Sequence, residues 1–462
     1  ALRASVAALA LAAWGVPRSA AAKDCGGSVA CACGDRVVAT TRLQEDLNNC
    51  DALGLQLRAG ILDCDGRQIA GPGDRTESIG ISVVGAAQGG PVGLEVRNCR
   101  VRNFGRGVEI RGGSGNQIVD NVLFDNEVGL WVAAASSGNS IARNYVHDNR
   151  DEGIHLGAGA QLNEVADNVV ANNRTENVYL LGASRNFIRR NTLQGAKAAA
   201  IFVKNASENE FTDNSLLDRN VLLRGDSDGN VFSGNVLANG AYGLSAIEET
   251  DGWRHPNGNV FRGGRIEKAS TCFEFVGAYD NTATGVVVDT CSPVEEKPAG
   301  GLVPHGNAVS VVREDLDDAA RGERRTGSLR TSRSAVAPDR FKLDLRNVPW
   351  PTDLDPVGQA VGCALAGTDG VVLAVSVPPG VLASSGGRFR LADPTGTFDG
   401  LTGLDLRRTG TGRWRIRLTG RAVLGEVRIP LLNLQCHVGD QTAEFSDLWW
   451  ETRHGWRLRV QP

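Results

Sequence analysis

An asparagine recurs through the middle of the chain, and the same short phrase follows it each time. The asparagines stand at positions 116, 139, 163, 186, 209, 230, 259 and 281. Each begins the pattern Asn-x-apolar-x-x-Asn, as in Asn116-Gln-Ile-Val-Asp-Asn121. A period this long and regular is typical of a solenoid, in which each repeat is one coil that packs only on its neighbours.

Short runs of alternating apolar and polar residues lie within each repeat, separated by polar turn residues. Asn144-Tyr-Val-His-Asp-Asn149 followed by Gly153-Ile-His-Leu156 shows the pattern. Alternation with period two indicates strands and not an amphipathic helix. Three short strands in a coil of about 23 residues predict a parallel β-helix, for which the crossover rule favours right-handed winding.

We expect the recurrent asparagines to stack as a ladder along the solenoid axis, each side-chain amide bonded to the next about 4.8 Å away. In this interpretation they are structural turn residues and not ligands. A leucine-rich repeat has a similar period, but it needs a leucine-dominated strand and a helical return, and this sequence has neither.

Charge and the N-terminus limit the classes of function. The chain has 462 residues and a formal net charge of −4, and no basic run stands out, so we expect no nucleic-acid partner. Arg3 precedes an apolar run that ends at Trp14, and Ala20-Ala-Ala22 offers a cleavage site. We therefore expect a signal peptide over residues 1–22, a secreted or periplasmic protein, and no membrane span after cleavage.

Ten cysteines agree with an oxidising compartment, where disulfides persist. Proximity within a domain suggests the pairs Cys272–Cys291 and Cys363–Cys436, and the pairing of the other six stays open. Cys31-Ala-Cys33 lacks the spacing of a zinc site and has no histidine nearby, so we predict no metal centre there.

Shifts of pattern divide the chain after the predicted signal peptide into four parts. Residues 23–60 are interpreted as a cystine-bearing cap, because an end coil exposes apolar edges. The coils occupy 61–291, and the proline-containing, charged stretch 292–338 is interpreted as a linker. Residues 339–462 alternate with period two and predict a small antiparallel β-sandwich-like domain. The predicted fold class is all-β: a right-handed parallel β-helix followed by that domain.

The coils, with the phrase Leu62-Asp-Cys-Asp-Gly66, resemble the right-handed parallel β-helix repeat superfamily. That group includes periplasmic NosD-type proteins and carbohydrate-active lyases, epimerases and hydrolases. Cys31-Ala-Cys-Gly-Asp-Arg-Val-Val38 resembles secreted bacterial members of undefined activity. The resemblance spans about residues 31–291 and implies the fold, since one fold hosts many functions. No catalytic residue carries over, because the catalytic phrases of alginate epimerases, pectate lyases and polygalacturonases are missing.

Alignment of the coils shows the outward-facing residues as columns, because alternate strand residues face outward. In the Gly-apolar-x-apolar strand, the residues at x are Glu109, Trp131, His155, Tyr179, Phe202, Leu222, Ser245 and Glu274. Four consecutive members carry aromatic rings, and a coil spacing of about 4.8 Å predicts a strip some 15 Å long. Two positions further along, Arg111, Lys204 and Arg224 flank the strip.

One coil has an insertion of about six residues, which contains Trp253. Insertions on solenoids often border the binding site, although a neutral loop is the alternative. Aromatic rings pack on sugars and cations pair with carboxylates. We therefore predict a polysaccharide site, acidic by preference, made of Glu109, Arg111, Trp131, Tyr179, Phe202, Lys204, Arg224 and Trp253. The alternative is ordinary packing of the strip under a loop or the C-terminal domain.

The densest polar cluster lies in one coil, between residues 144 and 156. Its members are Tyr145, His147, Asp148, Arg150, Asp151, Glu152 and His155. Histidine beside carboxylates can act as a base near neutral pH. A charge-rich turn that is merely solvated is the alternative, as is a Ca²⁺ site formed by the cluster's carboxylates; otherwise we expect no cofactor.

A lyase or an epimerase needs a base, a group that neutralises a carboxylate and a proton donor. We predict His155 or His147 as the base and Arg150 as the neutralising group. Tyr145 or Tyr179 would donate the proton.

The leading hypothesis is an exported monomer that binds, and modifies by lyase or epimerase chemistry, a polysaccharide on an outward β-helix face. A second hypothesis is a non-catalytic surface, adhesion or structural protein. A third is a NosD-like periplasmic accessory protein. Six histidines and no methionine argue against copper handling.

Overall fold

The computed structural model describes residues 22–73, 77–85, 93–250, 252–288, 291–299, 301, 303–313, 325–330, 339–348, 350–351, 353–367, 370–392, 395–409, 413–422, 431–448, 450–452 and 455–460. Every regular element in these residues is a β-strand. Within these ranges there is accordingly no apolar helix long enough to cross a bilayer. Residues 1–21 of the predicted signal peptide lie outside the described residues.

Three ladders of parallel strands form a solenoid. The first ladder contains Asp24–Cys25, Asp35–Val37, Leu53–Leu57, Ile79–Val84, Arg106–Arg111, Val128–Val132, Ile154–Leu156, Glu176–Leu181, Ala199–Lys204, Val221–Arg224, Tyr242–Ser245, Thr271–Val276 and Ser292–Lys297. The second contains Thr41–Arg42, Ile61–Asp63, Glu95–Arg97, Gln117–Val119, Ser140–Ala142, Glu164–Ala166, Phe187–Arg189, Glu210–Thr212, Val231–Ser233, Val260–Arg262, Thr282–Val288 and Ala308–Arg313. The third contains Gln68–Ala70, Arg100–Arg102, Val122–Phe124, Tyr145–His147, Val169–Ala171, Thr192–Gln194, Ser215–Leu216, Val236–Ala238 and Arg265–Glu267. The predicted parallel β-helix is confirmed.

The asparagine ladder is present as predicted. The side-chain amide of Asn116 donates to Oδ1 of Asn139 at 2.9 Å, and equivalent bonds continue coil by coil to Asn307. A second ladder starts at Asn121 and a third at Asn126, so asparagines stack at all three corners. Because these amides are buried and fully engaged, they hold the coils in register and are not available to a ligand.

The parallel pairing extends beyond both boundaries that the sequence suggested. Asp24–Cys25 and Asp35–Val37 join the first ladder within the predicted cap. Ser292–Lys297 and Ala308–Arg313 continue the first and second ladders within the predicted linker. Asn307 extends the asparagine ladder there, 26 residues after Asn281, so a further repeat was visible in the sequence.

Disulfides close both the coils and the C-terminal domain. The predicted pairs Cys272–Cys291 and Cys363–Cys436 are confirmed. The other six cysteines form Cys25–Cys31, Cys33–Cys50 and Cys64–Cys99. Cross-links of this kind restrict the unfolded chain and so stabilise the folded one.

The C-terminal domain consists of two antiparallel sheets. The eight-stranded sheet has the order Ala383–Ser385, Arg388–Ala392, Leu401–Arg408, Trp414–Ala422, Asp339–Val348, Arg325–Arg330, Gly455–Val460 and Trp450–Thr452. The four-stranded sheet has the order Gly370–Val377, Val361–Gly367, Leu431–Val438 and Gln441–Leu448. Leu343 and Trp414 of the first sheet share an apolar core with Val375 of the second. Alternating residues on the opposite side of each sheet face outward.

A hairpin interrupts the regular coils. Ile247–Glu249 pairs antiparallel with Gly252–Arg254, and this is the insertion seen in the sequence. Its Arg254 contacts Asp226 at 2.7 Å, and its Glu249 accepts a hydrogen bond from Asn205 at 3.0 Å. The hairpin therefore lies at the corner where the first-ladder strands of two earlier coils end.

Candidate functional site

The predicted aromatic column forms one continuous row on the first ladder. Trp131, His155, Tyr179 and Phe202 are consecutive partners in the strand register. The rings of Trp131 and His155 stack with centroids 4.0 Å apart. Tyr179 presents an edge to His155 at 4.8 Å and stacks on Phe202 at 5.2 Å. We call these four residues the aromatic row.

The row is partly exposed. Trp131, Tyr179 and Phe202 are half-buried, whereas His155 is 4% exposed between its two neighbours. Gly157 lies beside Trp131: a Cβ at this glycine would lie 3.6 Å from the indole nitrogen. The three exposed rings therefore form a surface against which a flat ligand can pack.

The predicted placement of Ser245 in the outward column is wrong. Leu222 continues the row, but its partner in the next coil is Gly243 and not Ser245. Ser245 is level with Arg224 instead. In this coil the buried Tyr242 pairs with Val221, so the next residue, Gly243, takes the outward position. In the other coils that have the motif glycine, it precedes the outward residue by two positions.

Arginine side chains border the row at both ends. The guanidinium carbon of Arg106 lies 4.5 Å from the centre of the Trp131 ring, and that of Arg224 lies 5.5 Å from the centre of Phe202. Lys204 and Arg224 are direct neighbours in the register. The row thus combines an apolar surface with cations, as the sequence predicted from Lys204 and Arg224.

Glu109 is an anchor for two of these cations. Its side chain is 3% exposed and contacts Arg106 and Arg111, each at 2.6 Å. A buried carboxylate held by two guanidinium groups is engaged within the protein. Glu109 therefore holds Arg106 over Trp131 at one end of the row and binds Arg111 beside it.

Carboxylates gather at the corner before the row. Glu152 Oε1 lies 3.5 Å from Nδ1 of His155, and Asp151 accepts a hydrogen bond from Thr175 at 2.9 Å. Burial, followed by the charge of Glu152, raises the pKa of Asp151. Burial also raises the pKa of Glu176, with the charges of Glu152 and Asp151 adding to it.

Two of the carboxylates at this corner, Glu152 and Glu176, also influence the pKa of Tyr179. Burial, followed by the charges of Glu152 and Glu176, raises the pKa of the Tyr179 phenol to about 12. The phenol is therefore protonated throughout the neutral range and can donate a proton or a hydrogen bond.

His155 is an unsatisfied polar group in this setting. Neither ring nitrogen has a hydrogen-bond partner among the described residues, although both are buried. Buried polar groups are normally paired, and an exception in a native structure is a candidate for a functional role.

The structure separates the predicted catalytic residues. Tyr145 and His147 lie on the third ladder, whereas His155 lies on the first, because residues 149–153 turn the chain through a corner between them. His147 stacks on Tyr145 at 3.9 Å, and its Nδ1 lies 2.7 Å from Asp148. These residues form a separate cluster, with Phe124 stacked on His147 at 5.3 Å.

Arg150 and Trp253 also lie outside the aromatic row. The exposed guanidinium of Arg150 donates to the backbone carbonyl of Gly73 at 2.6 Å, on a loop of an earlier coil. Trp253 is half-buried on the hairpin, which lies next to the strand ends at Lys204 and Arg224.

Two residues at the site, Arg106 and Glu176, were missed by sequence reasoning. Arg106 precedes Glu109 by three positions, and Glu176 precedes Tyr179 by three. Glu152, which was predicted from the sequence, stands in the same relation to His155. Alignment of this earlier column, and not only of the outward one, would have revealed the charges beside the row.

A metal centre is not evident in the described part of the chain. No three or more histidine, cysteine, aspartate or glutamate side chains are grouped there in a way that could hold an ion. All ten cysteines are in disulfides and the sequence has no methionine, so the soft sulfur ligands that Cu(I) prefers are missing. Of the three carboxylates in the alternative Ca²⁺ set, Asp148 contacts His147, Asp151 contacts Thr175 and Glu152 contacts His155.

The ladders and their stacked corners define the class of protein: a disulfide-linked parallel β-helix with a C-terminal antiparallel domain. Residues 80–267 match the family described as periplasmic copper-binding protein (NosD), and this match covers less than half of the chain. The resemblance to parallel β-helix repeat proteins is thereby confirmed. The residues described above do not provide the copper ligands that this description implies.

Solved structures that align with this chain do so at low sequence identity and with TM-scores below 0.5. A mutant of the periplasmic alginate epimerase AlgG is 13% identical, with a TM-score of 0.37 and 61% of each chain covered. The catalytic domain of a GH87 α-1,3-glucanase in complex with nigerose is 12% identical, with a TM-score of 0.38, and the alignment covers 62% of this chain and 64% of that chain. Dettilon tailspike protein is 12% identical, with a TM-score of 0.38 and 85% of each chain covered. No curated protein matches the sequence.

Proposed function

We propose that this protein binds an acidic polysaccharide along the aromatic row and catalyses proton transfer on it. The observation that carries the proposal is the uninterrupted stack of Trp131, His155, Tyr179 and Phe202, with arginine at both ends. Sugar rings pack on exposed aromatic faces, and guanidinium groups pair with carboxylates. Five disulfides support action outside the cytoplasm.

His155 is the proposed base. In a uronate, the hydrogen on the carbon next to the carboxylate is acidic enough to be removed by a positioned imidazole. Both ring nitrogens are buried, so the step requires the neighbouring rings to move and to expose one of them to the substrate. That nitrogen then accepts the proton, and Glu152 at 3.5 Å stabilises the resulting imidazolium. Arg106 at one end of the row neutralises the negative charge that develops on the substrate carboxylate, the role that the sequence assigned to Arg150.

Tyr179 is the proposed proton donor. Its raised pKa keeps the phenol protonated at neutral pH. Epimerisation needs delivery of the proton to the opposite face of the same carbon, whereas His155 and Tyr179 are neighbours in one row and lie on the same side of a sugar packed on it. This arrangement favours elimination. Delivery to the departing glycosidic oxygen, with loss of the carbon-bound proton to His155, gives an unsaturated sugar by elimination.

The test is incubation with alginate and with polygalacturonate, with ultraviolet absorbance reporting unsaturated ends and deuterium uptake at C5 reporting epimerisation. We expect one of the two signals from the wild type and none from His155→Gln. The matched control is His147→Gln, which removes a buried histidine from the other ladder. Equal activity of the two variants, or binding without either signal, contradicts the catalytic part of the proposal.

A further inference from the structure

The outward face of the eight-stranded C-terminal sheet carries a dense array of cations. Arg388, Arg407 and Arg415 are cross-strand neighbours in one row. Arg340 and Arg421 face each other in another. These side chains alternate along each strand with buried apolar residues, so they all lie on the side away from the core.

Acidic side chains on this face are too few to balance the cations. Asp344 and Asp405 are the two carboxylates among its described outward residues. Arg415 binds Asp344 through two hydrogen bonds of 2.8 and 2.6 Å, and Arg417 adds a third at 3.3 Å. Arg388 binds Asp405 in the same two-pronged way, with one bond of 2.6 Å. Asp344 thus holds two guanidinium groups and Asp405 holds one, so the two carboxylates leave most of the positive charge on this face unbalanced.

The remaining cations have no such partner. Arg340, Lys342, Arg407 and Arg421 are exposed and make no ion pair within the described residues. Arg340, Lys342 and Arg421 line a shallow depression together with Thr402 and Thr419. Hydroxyl groups beside unpaired cations offer hydrogen bonds and charge to the same ligand.

The other sheet of the domain shows that this charge is not general. Outward residues of the four-stranded sheet, such as Ala364, Ala374 and Gln435, carry no charge. One face of the sandwich is therefore cationic and the described part of the opposite face is neutral. Like charges held this close together repel one another and favour a polyanionic partner.

We propose that this cationic face, which we call the arginine face, is a second binding surface for an acidic polysaccharide. The choice of partner rests on the proposed function of the aromatic row, whereas the surface itself is independent of it. The rows lie on a sheet with about 4.8 Å between strands, which suits an extended polymer that carries a charge on each sugar. Within the described depression, threonine and glycine lie between the cations, and its one large apolar residue, Phe341, is 3% exposed and belongs to the core. This part of the face therefore presents no exposed apolar anchor of the kind that amphipathic surfaces insert into a bilayer.

Because both surfaces belong to one chain, a polymer bound to the arginine face has a raised effective concentration at the aromatic row. Two sites on one chain convert the second binding event into an intramolecular one. Removal of either site then weakens binding of a long polymer more than binding of a short oligomer.

The experiment uses the full chain and titrates polygalacturonate at low and at high salt. The test variant carries Arg340→Gln, Lys342→Gln and Arg421→Gln, three exposed positions whose change leaves the core intact. The control variant carries Arg67→Gln, Arg262→Gln and Arg313→Gln, which remove the same charge from exposed solenoid positions outside the aromatic row. At low salt we expect the test variant to bind roughly tenfold more weakly than the wild type and the control to bind as the wild type does. The difference should shrink at high salt because exposed charges are screened.

Equal affinity of the two triple variants would overturn the arginine face, whatever the aromatic row does. The proposal would also be overturned if the arginine face bound duplex DNA, or vesicles of phosphatidylcholine and phosphatidylglycerol in equal parts, and the test and control variants had the same affinity for polygalacturonate. Trp131→Ala, measured alongside, reports on the aromatic row alone. A normal affinity for Trp131→Ala with a weakened test variant contradicts the proposed function and leaves the arginine face standing.

Discussion

The imidazole of His155 stacks on the indole of Trp131, with ring centroids 4.0 Å apart and planes 17° from parallel. The indole covers one face of the histidine and is itself covered by the guanidinium of Arg106 at 4.5 Å. A residue buried this way keeps its orientation without a hydrogen bond to either nitrogen. The stack therefore fixes the imidazole while neither nitrogen makes a hydrogen bond within the described chain, and the Glu152 carboxylate lies 3.5 Å from Nδ1.

Trp131→Ala should weaken binding of polygalacturonate about tenfold, because it removes the largest ring of the row and the indole on which Arg106 packs. Isothermal titration with the soluble polymer measures the change. Phe124→Ala is the matched control, since Phe124 is a half-buried ring with arginines over it on the third ladder. An equal loss in both variants would place binding somewhere other than the aromatic row.

Glu176→Gln should raise the melting temperature modestly at neutral pH. The pKa of Glu176 is raised in the folded protein, so ionisation of this group above that pKa costs folding free energy. The gain should disappear in acid, where the wild-type carboxyl is protonated in both states. Glu210→Gln, at an exposed position on the second ladder, should show no such gain. A Glu176→Gln protein that melts below the wild type at neutral pH contradicts the assignment.

Tyr179 should ionise only at high pH, and its ionisation should lower the free energy of unfolding there. Because its pKa is raised to about 12, the stability that it contributes is present below its ordinary pKa of about 10 and is lost as the pH rises through 12. The pKa of Tyr242 is also raised by burial, so the comparison needs Tyr179→Phe. The variant should lose less unfolding free energy than the wild type across this window, as measured by denaturant titration. Parallel curves for the two proteins would show that Tyr179 ionises normally.

Asn186→Ala should destabilise the solenoid by about 3 kcal/mol. Oδ1 of Asn186 accepts from the backbone and side chain of Asn163, and its own amide donates to Asn209 and to Ala160. Truncation leaves buried donors without partners, and water cannot reach them. Gln117→Ala, at an exposed second-ladder position, is the control and should change the free energy of unfolding by less than about 0.5 kcal/mol. Chemical denaturation of both variants measures the difference, and similar values would show that the ladder adds little.

The aromatic row was predictable because the repeat supplies the register directly. Strand residues alternate between core and surface, and the asparagine phrase marks the same point in every coil, so Trp131, His155, Tyr179 and Phe202 had to be neighbours. The same reasoning failed at Ser245, where the motif glycine occupies the outward position. It also failed to group the polar residues, since closeness in sequence put Tyr145 and His147 with His155, and a corner of the solenoid separates them.

The sequence by itself determined the solenoid, its asparagine ladders and the aromatic row, because each depends on contacts between equivalent positions of successive coils. Tertiary structure decided which side chains complete the sites. Arg150 reaches the carbonyl of Gly73 on an earlier coil, and Arg106 takes the place over Trp131. The arginine face does not correspond to a basic run in the sequence. Its cations alternate with core residues and come from several strands whose pairing order cannot be read from the sequence. Antiparallel pairing joins distant segments, and so a charge pattern that is dilute along the chain becomes concentrated on one side of a sheet.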